Sequence, residues 1–333
     1  MRERRSNFDV TNQVDLSGAA PVCDAVVDII RSIYPKADLG SLKQAFEDVH
    51  RLFNGEYPTY LPCDTLYHDQ QHTLDMTLAI CRLINGHDRT VAEEDRIGVE
   101  RTTLGIITAL FHDSGYIRHE QDHHHFNGAE YTLVHVSRSA DFLKRYMHKI
   151  GLGEQAQNAA QMVHYTGYEV SPSQIRLPDA KTHLVGHMLG TADLIAQMSD
   201  RCYLEKCRDR LYPEFVLGGL AVQVDDKGKE TVIYSSGEDL LRKTPAFYSH
   251  EVENRLNKLF GEVYNYEMAH FDGKRRHYIT ALGKNQARLK HVLTVDDFSL
   301  LRRKPPENYG TRNFPGLEAF FDMHPNQQQR QLR

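Results

Sequence analysis

Apolar residues recur every three to four positions through most of the chain, the spacing that puts them on one face of a helix. The pattern predicts amphipathic helices over residues 22–33 and 41–53, separated by Pro35 and Gly40 and preceded by a flexible lead-in over 1–20. After breaks at Pro58 and Pro62, a helix is expected over 65–84, opened by Thr65-Leu66-Tyr67-His68 and stopped by Asn85-Gly86. Helices over 98–112, 128–147, 154–165, 179–208, 249–270 and 274–292 follow, with a polar, His-rich loop over 118–127. The periodicity changes near residue 220. Ala221-Val222-Gln223-Val224 and Thr231-Val232-Ile233-Tyr234 flank Asp225-Asp226-Lys227-Gly228-Lys229, which reads as a small β-hairpin inserted in an all-α protein.

This organisation suggests a helical cap over 1–60, a main helical core over 61–215, a hairpin with C-terminal helices packing on it over 216–300, and a tail over 301–333. Pro305-Pro306 and the Gln-rich end mark the tail as extended or disordered. With 333 residues the chain can bury one large core or two modest ones, and one main helical domain with appendages is expected.

Composition narrows the function classes. A net charge of -5 supplies no global basic field for duplex nucleic acid. The charged N-terminus leads into no unbroken apolar stretch, so neither a signal peptide nor a membrane span is expected. Five cysteines without a C-x-x-C pair read as reduced thiols of a cytoplasmic protein. The 19 histidines, many between residues 68 and 187, point to metal binding or acid–base chemistry.

Three stretches bring that chemistry together. The helix over 98–112 is apolar almost all round, yet it ends in His112-Asp113. Uncompensated polar groups at a buried helix end cost several kcal/mol, and a shared metal ion is one way to satisfy both. His68, His72 and Asp75 are spaced to lie on one helix face. Asp193 sits among Leu189, Ala192, Leu194 and Ile195, where a lone carboxylate needs a partner.

The order His72, His112-Asp113, Asp193, all on helices, resembles the HD superfamily of metal-dependent phosphohydrolases over about residues 65–201. The resemblance implies an all-α HD-domain bundle holding metal between helices. Tyr67-His68-Asp69-x-x-His72-x-x-Asp75 is similar to the signature of class I cyclic-nucleotide phosphodiesterases, in which the first His donates a proton and the second ligates metal; Asp69 stands where that signature has Asn. His124-His125-Phe126-Asn127-Gly128-Ala129 and Val163-His164-Tyr165 resemble motifs of the two-metal branch that opens cyclic dinucleotides. That likeness implies a site of His72, His112, Asp113, His124, His164 and Asp193 bridged by Asp113. His183 and His187 point away from Asp193 at helical spacing and read as surface or supporting residues.

The implied function is a phosphodiesterase acting on a cyclic nucleotide or related nucleotide phosphoester. One or two divalent ions (Fe, Mn, Zn, Ni or Mg) would activate water, with Asp113 at the reacting centre and His68 as general acid. Two other classes stay open, a non-catalytic nucleotide or metal sensor and a di-iron oxygenase of HD fold. Substrate, metal, nuclearity and a homodimeric state are left undetermined by the residues alone.

Overall fold

The structure, a computed structural model, describes residues 4–225 and 227–331. Met1, Arg2 and Glu3 of the lead-in, Asp226 of the hairpin turn and residues 332–333 of the tail lie outside the described residues. Helices α1 (Ala19–Arg31) and α2 (Gly40–Phe53) form where the pattern places them, turning Val22, Val26 and Ile30, and Leu42, Phe46 and Val49, inward. They cover α3 (Gln70–Asp88) and α4 (Val99–Leu110). Every residue of α3 from His72 to Asp88 is buried, so this helix is the axis of the bundle rather than one of its walls.

Two expectations about α3 are corrected. His68 precedes the helix, because the Asp69 side chain accepts from the His72 N–H at 2.9 Å and caps the first turn. The helix also runs through Asn85-Gly86. Gly86 serves there as space: a Cβ would lie 1.9 Å from the Tyr266 carbonyl oxygen. The lead-in is corrected as well, since Asp9 is fully buried and its Oδ2 pairs with Arg82 at 2.6 Å, while Arg82 also donates to the Tyr278 hydroxyl at 2.8 Å. That buried network ties residues 8–15 to α3 and the C-terminal helices.

Helices α5 (His135–Lys149) and α6 (Ala156–Met162) pack together on one flank, and α7 (Ala180–Ser199) packs against α3, α4 and α6. The helix expected over 179–208 breaks at Asp200, which leaves the helical region and accepts from the Cys202 N–H at 2.7 Å. The chain resumes as α8 (Tyr203–Lys206), a π-helical turn (Cys207–Leu211) and α9 (Tyr212–Leu217). The hairpin is present: β1 (Val222–Val224) pairs antiparallel with β2 (Glu230–Val232), Val222 opposite Val232.

Next come α10 (Gly237–His250), a π-helical segment (Glu251–Leu259), α11 (Glu267–His270) and α12 (His277–Val295), which packs on α7. The tail is not extended throughout. It forms α13 (Tyr309–Asn313), α14 (Leu317–Met323) and α15 (Pro325–Gln331), and Phe320 packs with Ala129 and Leu217. The chain is thus mostly helical, with one two-stranded sheet among the described residues. All five cysteines are free, and no described helix is long and apolar enough to cross a membrane.

Candidate metal centre

The end of α4, the first turn of α3 and the middle of α7 converge at the bottom of a cavity of about 510 Å³. His72 Nε2 lies 3.1 Å from Asp193 Oδ1 and 3.9 Å from Asp113 Oδ2. His112 Nε2 lies 3.1 Å from Asp113 Oδ2 and 4.0 Å from Asp193 Oδ1. Among the described residues, His72, His112 and Asp113 form a buried group with the spacing of a metal site, and Asp193 faces both histidines from the opposite helix.

The tautomer of His112 follows from its surroundings. Its Nδ1 is 2.8 Å from the Ala109 carbonyl, which only accepts, so Nδ1 carries a proton and in the neutral ring Nε2 presents a lone pair. Nε2 is buried, and so is Asp113 Oδ2; neither has a hydrogen-bond partner, because their 3.1 Å approach is not aligned for a hydrogen bond. With the ring neutral these are two facing acceptors, and a proton on Nε2 or a metal ion between them would each satisfy the pair. Burial opposes protonation of His112, but the Asp113 carboxylate overrides it and lifts the imidazole pKa to about 9. Burial likewise opposes ionisation of Asp113, and the charges of His112, His68 and His72 hold it well below the usual carboxylate range. Asp193 is also held low, through its hydrogen bond to His72 and the charge of His112, against its burial. A divalent ion would satisfy all these donors at once, and imidazole plus carboxylate is a donor set that suits a first-row transition metal.

Above the cluster, His68 Nδ1 lies 2.6 Å from Glu214 Oε2, while Glu214 Oε1 accepts the Tyr67 and His68 backbone N–H groups. Burial would drive the His68 pKa down, but the Glu214 carboxylate outweighs it and raises the value to about 9. His68 stacks on Tyr116, ring centroids 4.5 Å apart at 17°, and Tyr116 stacks on His135 at 4.3 Å and 20°. His135 Nδ1 lies 2.7 Å from the Thr132 carbonyl, so its Nε2 carries a lone pair, 3.9 Å from Asp113 Oδ1. Gly115 makes this stack possible: a Cβ there would lie 1.9 Å from the His135 carbonyl oxygen. Glu169 accepts the Val136 and Ser137 N–H groups and fixes the start of α5.

The structure therefore brings His68, His72, His112, Asp113 and Asp193 to one cavity. It does not bring His124 there. His124 is exposed in the loop before α5, where its backbone N–H donates to Asp122. His164 is half-buried near Glu169 and does not line the cavity. Asp75 lies in a buried region near Arg4, Arg82 and Asp200 and does not line the cavity: three residues on from His72 its side chain is turned by about 60°, which is enough to face the lead-in. His183 and His187 surround Tyr165 instead. Two residues escape the sequence reading. Glu214 and His135 each carry the signal that exposes Asp193, a polar side chain in an apolar run, Phe215-Val216-Leu217 after one and Leu133-Val134 before the other.

A family model described as Npun_R2479-like matches residues 18–291. No curated protein and no solved structure matches the chain.

Proposed function

We propose that this chain, which belongs to the Npun_R2479-like family, is a metal-dependent phosphohydrolase of HD type that cleaves phosphodiesters. The observation that carries the reading is one cavity holding both a buried His/Asp cluster, in which His112 Nε2 and Asp113 Oδ2 have no hydrogen-bond partner, and, above it, an imidazole paired with a carboxylate. His72, His112, Asp113 and Asp193 would hold one divalent ion; Asp113 Oδ1 and His135 Nε2 are the donors on the side where a second would sit. A divalent ion in such a set supplies Lewis acidity toward phosphoryl oxygen and brings the pKa of water to about 7.

The protein's own groups divide the remaining work. His68 is protonated at neutral pH and presents Nε2 to the cavity, since Nδ1 is committed to Glu214. It donates that proton to the departing alkoxide, a contribution of about 10²- to 10⁴-fold. Glu214 orients the ring and holds the imidazolium charge, and the Tyr116 stack fixes the ring plane. Asp69, which replaces Asn in the phosphodiesterase-like signature, caps α3 and accepts from Asn308 of the tail at 2.9 Å, so it acts on the scaffold.

The test is metal content of the purified chain, then hydrolysis of a phosphomonoester and phosphodiester panel with chelator and with each metal restored. Diester cleavage that disappears with chelator and returns with metal supports the proposal. Full metal loading with no phosphoester turnover overturns it in favour of a sensor, and a mixed-valent iron signal with oxygen consumption overturns it in favour of an oxygenase.

A further inference from the structure

The cavity continues well beyond the metal cluster, and its chemistry changes along the way. Its floor is polar: His68, His72, His112, Asp113, His135 and Asp193. Its opposite wall, built by the π-helical turn, α9, the strand-flanking loops and α10, is apolar, with Leu211, Phe215, Leu220, Tyr234, Leu240 and Phe247 in sequence. The rim is apolar too, for Leu133 is 65% exposed and Tyr168 67% exposed at the mouth. Apolar side chains left open around a polar floor indicate what enters.

Charge sharpens the choice. Apart from histidines, Lys243 is the one basic side chain among the described residues lining the cavity, and it is already spent: its ammonium lies 2.9 Å from Asp239 Oδ2 and also donates to the Ile233 carbonyl. A substrate with a second phosphate, such as a diphosphate or a dinucleotide, would find no cation for it. A nucleobase would need several hydrogen-bonding partners along the wall; there the Thr244 hydroxyl donates to the Leu240 carbonyl and Gln197 Oε1 receives the Tyr67 hydroxyl, so that the Gln197 amide N–H and the Tyr234 hydroxyl are isolated polar points on it. The wall instead offers a mostly apolar surface to a chain of methylenes.

We propose that the substrate class is an amphiphilic phosphoester, with a single phosphoryl group at the His/Asp floor and an uncharged, extended apolar chain along the wall from Leu211 to Phe247. This rests on the phosphohydrolase reading for its chemistry, but the recognition of the apolar chain can be read separately. The nucleotide expected from the sequence is thereby set aside in favour of a lipid-like ester.

The experiment has two arms. In the first, calorimetry on the manganese-loaded full chain measures binding of methyl, butyl and octyl phosphate, each below its micelle concentration, and of adenosine monophosphate. Affinity is expected to rise about two- to fourfold per methylene until the wall is covered, with octyl phosphate binding more tightly than the nucleotide. The double variant Phe215→Ser, Phe247→Ser should shrink the octyl-to-methyl ratio at least fivefold, by order of magnitude about the loss of two apolar contacts. In the second arm, methyl and octyl 4-nitrophenyl phosphate are compared as substrates. If octyl phosphate binds tightly and neither diester is cleaved, the hydrolase reading fails and the amphiphile assignment stands. Equal binding of methyl and octyl phosphate, or tighter binding of the nucleotide, overturns the assignment whether or not the diesters are cleaved.

Discussion

His68 Nδ1 and Glu214 Oε2 lie 2.6 Å apart although 146 residues separate them in sequence. The pairing exists because α7 breaks at Asp200 and the chain turns back through α8 and α9, carrying Glu214 beneath the Tyr67-His68 backbone. Glu214→Gln preserves the shape and removes the charge. The variant should keep its metal and lose about 10- to 100-fold in kcat on a diester with a poor leaving group, while a nitrophenyl ester suffers less. Equal loss on both substrates would separate Glu214 from proton donation.

The same pair sets a pH dependence. The His68 pKa is raised to about 9, so the proton donor is charged below that pH and is lost as pH rises through it. The rate should therefore fall on the alkaline side near pH 9, and in Glu214→Gln this limb should move toward the ordinary imidazole value of about 6.5. An alkaline limb that stays in place in the variant would assign it to another group.

Metal content should discriminate among the histidines. His112→Ala and Asp113→Ala each remove a donor from the buried cluster and should abolish most metal binding. His124→Ala, on an exposed loop, should retain the full complement. If the chain holds two ions, His135→Ala should lose one of them, read by elemental analysis. Metal loss in His124→Ala would mean that the loop closes over the site in solution.

Asp75 is 5% exposed and its Oδ1 has no partner. Burial raises its pKa from 3.8 to about 7. The folded state thus keeps a proton that the unfolded chain releases, and this carboxyl costs stability increasingly as pH rises from about 4 to 7. Asp75→Asn should raise stability at pH 8 by on the order of a few kcal/mol and change little at pH 4.5. Urea melts at the two pH values check this; destabilisation at pH 8 would mean that the carboxylate is held by Arg4 or Arg82 after all.

Gly86→Ala places a methyl group 1.9 Å from the Tyr266 carbonyl, a backbone atom that cannot swing aside. Helix propensity alone would favour the change by about 1 kcal/mol. The clash should win, lowering the melting temperature by several degrees. A neutral or stabilised variant would show that the segment before α11 shifts freely away from α3.

Local chemistry carried much of this protein. The 3.6-residue period of α1, α2, α4 and α7, the single switch to alternation at Val222–Val224, and the misfit of His112-Asp113 and Asp193 among apolar neighbours all lie within a few residues of chain. Hence the helical class, the hairpin and the four residues at the cavity floor could be read from order alone. What depends on distant backbone could not. Gly86 reads as a helix stop until Tyr266 comes to lie on it, and Asp75 reads as a neighbour of His72 until the lead-in and Asp200 pack on the side of α3 that it faces. The histidines of the 118–127 loop carry no period that says which way they face, so His124 is exposed while His135, beyond the loop, turns toward Asp113 because Gly115 lets α5 approach. Partners such as His68 and Glu214 meet only when long-range packing folds one stretch onto another, and spacing along the chain carries no trace of that distance.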